Sequence, residues 1–194
     1  MATKEEQELI VLVDEHNNEI GTMPKLAAHN ADTPLHRAFS IFLFNGRGQL
    51  LLQQRSRHKK TWPLIWSNSC CGHPAPGEST EAAIHRRLEY ELGLTNVSFE
   101  VVLPDYRYRF ERDGIVENEI CPVYAGRCDQ IPRLNPKEVE AIKYIAWEDF
   151  LKIAKAGIES YTEWALEEAQ ILQEAMIIDK DKQFRKLWDL WYNK

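Results

Sequence analysis

The chain has 194 residues, 44% of them hydrophobic, long enough to bury a real core, which excludes a disordered polymer and fits one domain over 1–194. A formal charge of -6 and a pI of about 5.6 oppose nucleic acid as a partner, and the longest apolar stretches, at 10–13 and 41–44, fall far below the roughly 18 residues of a membrane span. The opening residues "MATKEEQELIVLVDE" are acidic where a secretory leader is basic, so a cytoplasmic location is expected.

From the N-terminus, "ELIVLVDEHNNEIGTM" reads as two short strands around a polar turn, and "RAFSIFLFNGRGQLLLQQRS" as a longer hairpin pivoting on Asn45 to Gly48. "SNSCCGH" follows, with adjacent Cys70 and Cys71. With Cys121 and Cys128 they form no CxxC pair, and neighbouring cysteines rarely meet disulfide geometry, so reduced thiols are expected. "TEAAIHRRLEYELGL" carries Ala83, Ile84, Leu88 and Leu92 on one helical stripe, with Ser79 as N-cap and Gly93 as the stop.

"FEVVLPDYRYRFERDGIVENEICPVYAG" reads as two strands around Asp113-Gly114. A two-residue turn there pairs Arg112 with Ile115, and counting back places Tyr108 opposite Glu119, about 5 Å apart at Cβ. Glu117 and Glu119, two apart on a strand, face the same way. Helical periodicity returns in "WEDFLKIAKAG", "YTEWALEEAQILQEAM" and "FRKLWDLWYNK", the last with an aromatic stripe read as packing. The whole is an α+β domain with helices on a mixed sheet.

From Gly72 to Leu94, "GHPAPGESTEAAIHRRLEYELGL" resembles the Nudix box, G-x5-E-x7-R-E-U-x-E-E-x-G-U, with Gly72, Glu78, Arg86, Leu88, Glu91, Gly93 and Leu94 in register. Arg87 stands where the pattern has its first helical Glu, and Tyr90 replaces the first Glu of the later pair. Nudix hydrolases gather helix carboxylates to hold the metals that deliver water to a diphosphate. Here a cation suited to phosphate oxygens lies one turn before Glu91, so the helix reads as binding a diphosphate without hydrolysing it.

Over residues 10–164 the chain is similar to the type I isopentenyl-diphosphate isomerases, a Nudix-fold family, through "LAAHNADTPLHRAFS", "WSNSCCGHP", "DYRYRF" and "GIVENEICPV". The resemblance implies a Nudix-type mixed sheet sandwiched by helices and the interconversion of isopentenyl and dimethylallyl diphosphate. An active Nudix diphosphohydrolase is the alternative. The isomerase resemblance also implies a divalent metal (Mn, Zn or Mg) on His29, His36, His73, Glu117 and Glu119, and Mg held by Glu91 with the substrate diphosphate.

It further implies Cys71 as the catalytic cysteine, with Cys70 as packing, and a metal-bound histidine nearby would lower the Cys71 thiol pKa. Tyr108 and Glu119 form the acid/base pair on the other face, Trp164 lies beside the reacting carbons, and Lys25, Arg55, Lys59 and Arg87 contact phosphate. The implied protein is a monomer acting on a small isoprenyl diphosphate.

Overall fold

The computed structural model describes residues 8–178. Its strands are β1 (Leu9–Val13), β2 (Glu19–Pro24), β3 (His36–Arg37), β4 (Phe39–Phe44), β5 (Gln49–Arg55), β6 (Trp66–Ser67), β7 (Cys70–Gly72), β8 (Ser98–Leu103), β9 (Arg107–Arg112), β10 (Ile115–Ile120), β11 (Val123–Arg127) and β12 (Val139–Ala146). The helices are a single turn α1 (Lys25–Ala28), α2 (Thr80–Leu92), α3 (Trp147–Ala156) and α4 (Glu163–Ile178). The aromatic stripe at 184–191 lies outside the described residues. Among these elements no helix is long and apolar enough to cross a membrane.

The strands divide between two mixed sheets, one ordered β2-β1-β3-β10-β9, the other β12-β5-β4-β11-β8 with β6 on β5 and β7 on β4. β4 explains the layering of the second. All six of its residues are buried, and alternation sends Phe39, Ile41 and Leu43 to one apolar cluster and Phe42 and Phe44 to another. The first cluster includes Ala83, Ile84, Leu88 and Leu92 of α2, and the second Trp147 and Phe150 of α3 with Ala165 and Ala169 of α4. Each large side chain so buried contributes roughly 1.5–3 kcal/mol. The sheet is thus sandwiched by helices, as expected.

The hairpin expected at 37–56 forms only near its turn, where Leu43 pairs with Leu51 and Phe44 with Leu50. Beyond that the strands part, and the segment 66–72 enters between them, β7 pairing with β4 and β6 with β5. Ser69 makes the wedge stable. Its hydroxyl donates to Leu51 O at 2.6 Å and accepts from Leu43 N at 2.7 Å, while its own N–H donates to Ile41 O at 3.1 Å. A short side chain with both donor and acceptor thereby replaces the missing ladder bonds.

Candidate active site

The wedge decides which cysteine is available. On β7 successive side chains alternate: Cys70, fully buried, joins the α2 cluster, and Cys71, paired opposite Ser40, turns to a cavity of about 390 Å³. The Cys71 thiol donates to Asn68 Oδ1 at 3.0 Å. Burial first, and then the neighbouring Glu168 carboxyl, push this thiol up to about 12. A desolvated sulfur beside a buried carboxyl keeps its proton; the lowering expected from the sequence depends on the charge of a metal ion nearby.

The 107–120 hairpin has the expected register. Asp113 and Gly114 both take left-handed φ (53° and 74°), the condition for a tight two-residue turn, and Tyr108 pairs with Glu119. β3 runs parallel on the other side of β10 and sets His36 against Glu119, giving a row His36, Glu119, Tyr108 across three strands. Glu119 Oε2 accepts from Tyr108 Oη at 2.6 Å, and Oε1 lies 2.9 Å from His73 Nε2 and 3.4 Å from His36 Nε2.

His29, His36, His73 and Glu119 present ligand atoms that all lie within 4.8 Å of one another. The Nδ1–H of His29 is directed at Lys25 O (2.7 Å) and that of His36 at Pro34 O (2.8 Å), which leaves each Nε2 with its lone pair for an electrophile. His36 Nε2 is buried without a hydrogen-bond partner, as is Glu117 Oε2, which lies 3.0 Å from His29 Nε2. Glu117 stands at the edge of the four-residue cluster. Orphaned acceptors converging on one point are what a divalent cation satisfies, and imidazole with carboxylate suits Mn or Zn.

The Nudix-box loop fixes His73. Arg86 grips Glu78 bidentately (2.8 and 2.7 Å) and also donates to His73 O at 3.1 Å, while Glu78 accepts from Ala75 N. α2 begins and ends as expected, with Ser79 Oγ accepting from Ala82 N and Gly93 at φ 65°.

Lys25, Arg55, Lys59 and Arg87 all line the cavity. Of the rest of the basic run, Arg57 faces solvent and pairs with Glu140, while Lys60 also lines the cavity and donates to Leu26 O and His29 O. Two carboxylates that sequence reasoning missed balance the cavity cations. Glu138 pairs with Lys59 and with Arg87 (2.9 Å), and Glu8 with Lys25 (3.0 Å). Glu91 is buried with both oxygens in use, Oε1 by Arg87 at 2.9 and 2.7 Å and Oε2 by Gln53 at 3.2 Å. It neither lines the cavity nor belongs to the histidine cluster. Trp164 lines the cavity, stacked on Tyr108 at 5.6 Å with Arg55 Cζ 5.7 Å from its ring.

Behind Cys71 lies a buried carboxyl that no sequence pattern flagged. Glu168 is fully buried, with Oε2 taking the Ser40 hydroxyl at 2.7 Å and Oε1 unpartnered. Burial raises its pKa well above the ordinary carboxyl range. The folded protein therefore keeps a proton that the unfolded chain releases above its own pKa. Stability is full below that pKa and declines by about 1.4 kcal/mol per pH unit above it, until the folded group also ionises. Glu168→Gln is expected to melt higher than the parent at pH 8, with the difference vanishing toward pH 4 in calorimetry. Equal melting temperatures at both pH values would mean that the carboxyl is ionised in the fold.

Residues 34–165 match the NUDIX domain family. An isopentenyl-diphosphate Delta-isomerase of Saccharopolyspora erythraea is 46% identical over 168 residues, covering 86% of this chain and 87% of that one. The chain belongs to the isopentenyl-diphosphate Delta-isomerase family. A second member, from Citrobacter koseri, is 47% identical, with 84% of this chain and 90% of the relative covered. In fold this isomerase-family chain is also similar to the crystal structure of DR0079 from Deinococcus radiodurans, with a TM-score of 0.66 at 23% identity over 86% of this chain and 98% of that one.

Proposed function

We propose that the chain interconverts isopentenyl and dimethylallyl diphosphate: a proton is added to the terminal alkene carbon to give a tertiary carbocation, and another is lost from C2. The observation that carries this reading is one cavity lined both by Cys71, Tyr108 and Glu119 and by the cations Lys25, Arg55, Lys59 and Arg87. The cations take the diphosphate, competing with Glu138 and Glu8 for Arg87, Lys59 and Lys25.

Cys71 then serves one face of the alkene and the Tyr108/Glu119 pair the other. The reaction is reversible, so the group that donates in one direction accepts in the other. Tyr108 Oη already donates to the Glu119 carboxylate, so the phenol oxygen can take a proton from the substrate as it passes its own to Glu119, and the reverse direction returns both. Trp164 offers its ring to the developing cation.

His29, His36, His73 and Glu119, with Glu117 beside them, would hold Mn, Zn or Mg. Such an ion supplies a positive charge that tunes the proton affinity of Glu119. Magnesium accompanying the diphosphate would reach Glu91 only as Arg87 turns from that carboxylate to phosphate. A single cytoplasmic chain acting on a small diffusible substrate completes the reading.

The rival, hydrolysis of a nucleoside diphosphate, needs clustered helix carboxylates. α2 instead buries Arg87 against Glu91 and exposes Tyr90. A nucleotide panel assayed for phosphate release is expected to give rates at least ~100-fold below isomerisation of isopentenyl diphosphate. Hydrolysis at comparable rates would overturn the proposal.

A further inference from the structure

Trp164 presents a puzzle of alignment. Its ring is 2% exposed and lines the cavity, yet its Nε1–H is buried with no partner. An indole without its usual hydrogen bond is oriented by packing alone. Two rings supply that packing: Tyr108, stacked at 17°, and Trp62, edge-on at 5.2 Å and 65°.

Trp62, unlike Trp164, is pinned. Its Nε1–H donates to Glu163 Oε2 at 2.6 Å, and Glu163 Oε1 is itself gripped by Arg112 Nε and Nη2 at 3.0 and 2.7 Å. The backbone around it is unusual. Trp62 and Leu64 hold φ of 45° and 62°, in the left-handed region that disfavours large side chains. Arg55 stabilises that conformation by donating to Thr61 O, Thr61 Oγ1 and Trp62 O, and Leu64 N–H returns a bond to Arg55 O. A strained loop held at several points, and ending in one ring laid against another, is an orienting device.

We propose that Trp62, fixed by Glu163, is a positioning residue that sets the tilt of the Trp164 ring toward the reacting carbons. This rests on the isomerase reading. Because Arg55 both lines the cavity and anchors the loop, the ring's support is continuous with the diphosphate end of the site.

The test compares steady-state isomerisation of isopentenyl diphosphate by the parent, Trp62→Phe, Glu163→Ala and the same changes in a Trp164→Phe background. Trp62→Phe keeps a ring and loses the pinned N–H; Glu163→Ala removes the acceptor at a half-buried position and spares the core. Each is expected to lower kcat about 10-fold with KM within about twofold, since misalignment acts on the transition state. In the Trp164→Phe background each should cost less than about twofold, because residues acting through one ring are not additive. Should Trp62→Phe fail to fold, Glu163→Ala alone decides. Parental kcat in the folded variants, or losses that multiply unchanged across the two backgrounds, would overturn the inference. A parent that does not isomerise at all would instead sink the isomerase reading itself.

Discussion

Cys71→Ala is expected to lower kcat by about 1,000-fold or more, while Cys70→Ala leaves turnover within about twofold and costs about 1 kcal/mol of stability. The asymmetry follows from β7. Cys71 points into the cavity and is hydrogen-bonded to Asn68, whereas Cys70 is fully buried against α2, with Arg87 and Glu91 on the same helix. Removing the Cys71 sulfur would delete the proposed proton carrier without opening the core; removing that of Cys70 would do the reverse. The assays are steady-state isomerisation and thermal melting of both variants. Similar isomerisation rates in the two would contradict the placement.

His73→Ala is expected to abolish both bound metal and activity while the cooperative melt persists. His73 lies on the loop between β7 and α2 with its ring against Glu119, His29 and His36, and its carbonyl is held by Arg86 through an atom that alanine retains. Loss of one donor from the proposed four-ligand set would weaken metal binding, whereas the two apolar clusters contain none of these four residues. Metal content by atomic emission, measured beside calorimetry, separates the two effects. Full occupancy in the variant would refute His73 as a ligand.

What was legible in the sequence is what local chemistry determines. The register that brings Tyr108 to Glu119 follows from Asp113-Gly114 because a two-residue turn leaves the strands one pairing. The span of α2 follows from its apolar stripe and its two caps. The resemblance then named side chains that the structure gathers around one cavity, Glu91 and the fully buried His36 lying behind its wall.

What was not legible depends on distant partners. Arg55, Arg57, Lys59 and Lys60 are indistinguishable as a basic run. Arg57 leaves the cavity only because Glu140 holds it outward, while Lys60 stays at the cavity wall with its ammonium given to the carbonyls of Leu26 and His29. Nothing in "SNS" itself announces the wedge between β4 and β5, since Ser69 satisfies backbone groups from two strands it follows by many residues. Glu168 sits on a segment that the sequence shows only as helically periodic, and its buried carboxyl is bonded to Ser40, 128 positions away. The counter-ion Glu138 is likewise brought to Lys59 and Arg87 from 79 and 51 positions further along the chain.

The most direct measurement is incubation of the purified protein with isopentenyl diphosphate and magnesium in deuterated water, followed by proton and phosphorus NMR. A cavity that adds one proton to the alkene and removes another predicts dimethylallyl diphosphate carrying deuterium in its methyl groups, with the diphosphate signals intact. Release of inorganic phosphate or diphosphate with no isomer formed would contradict it.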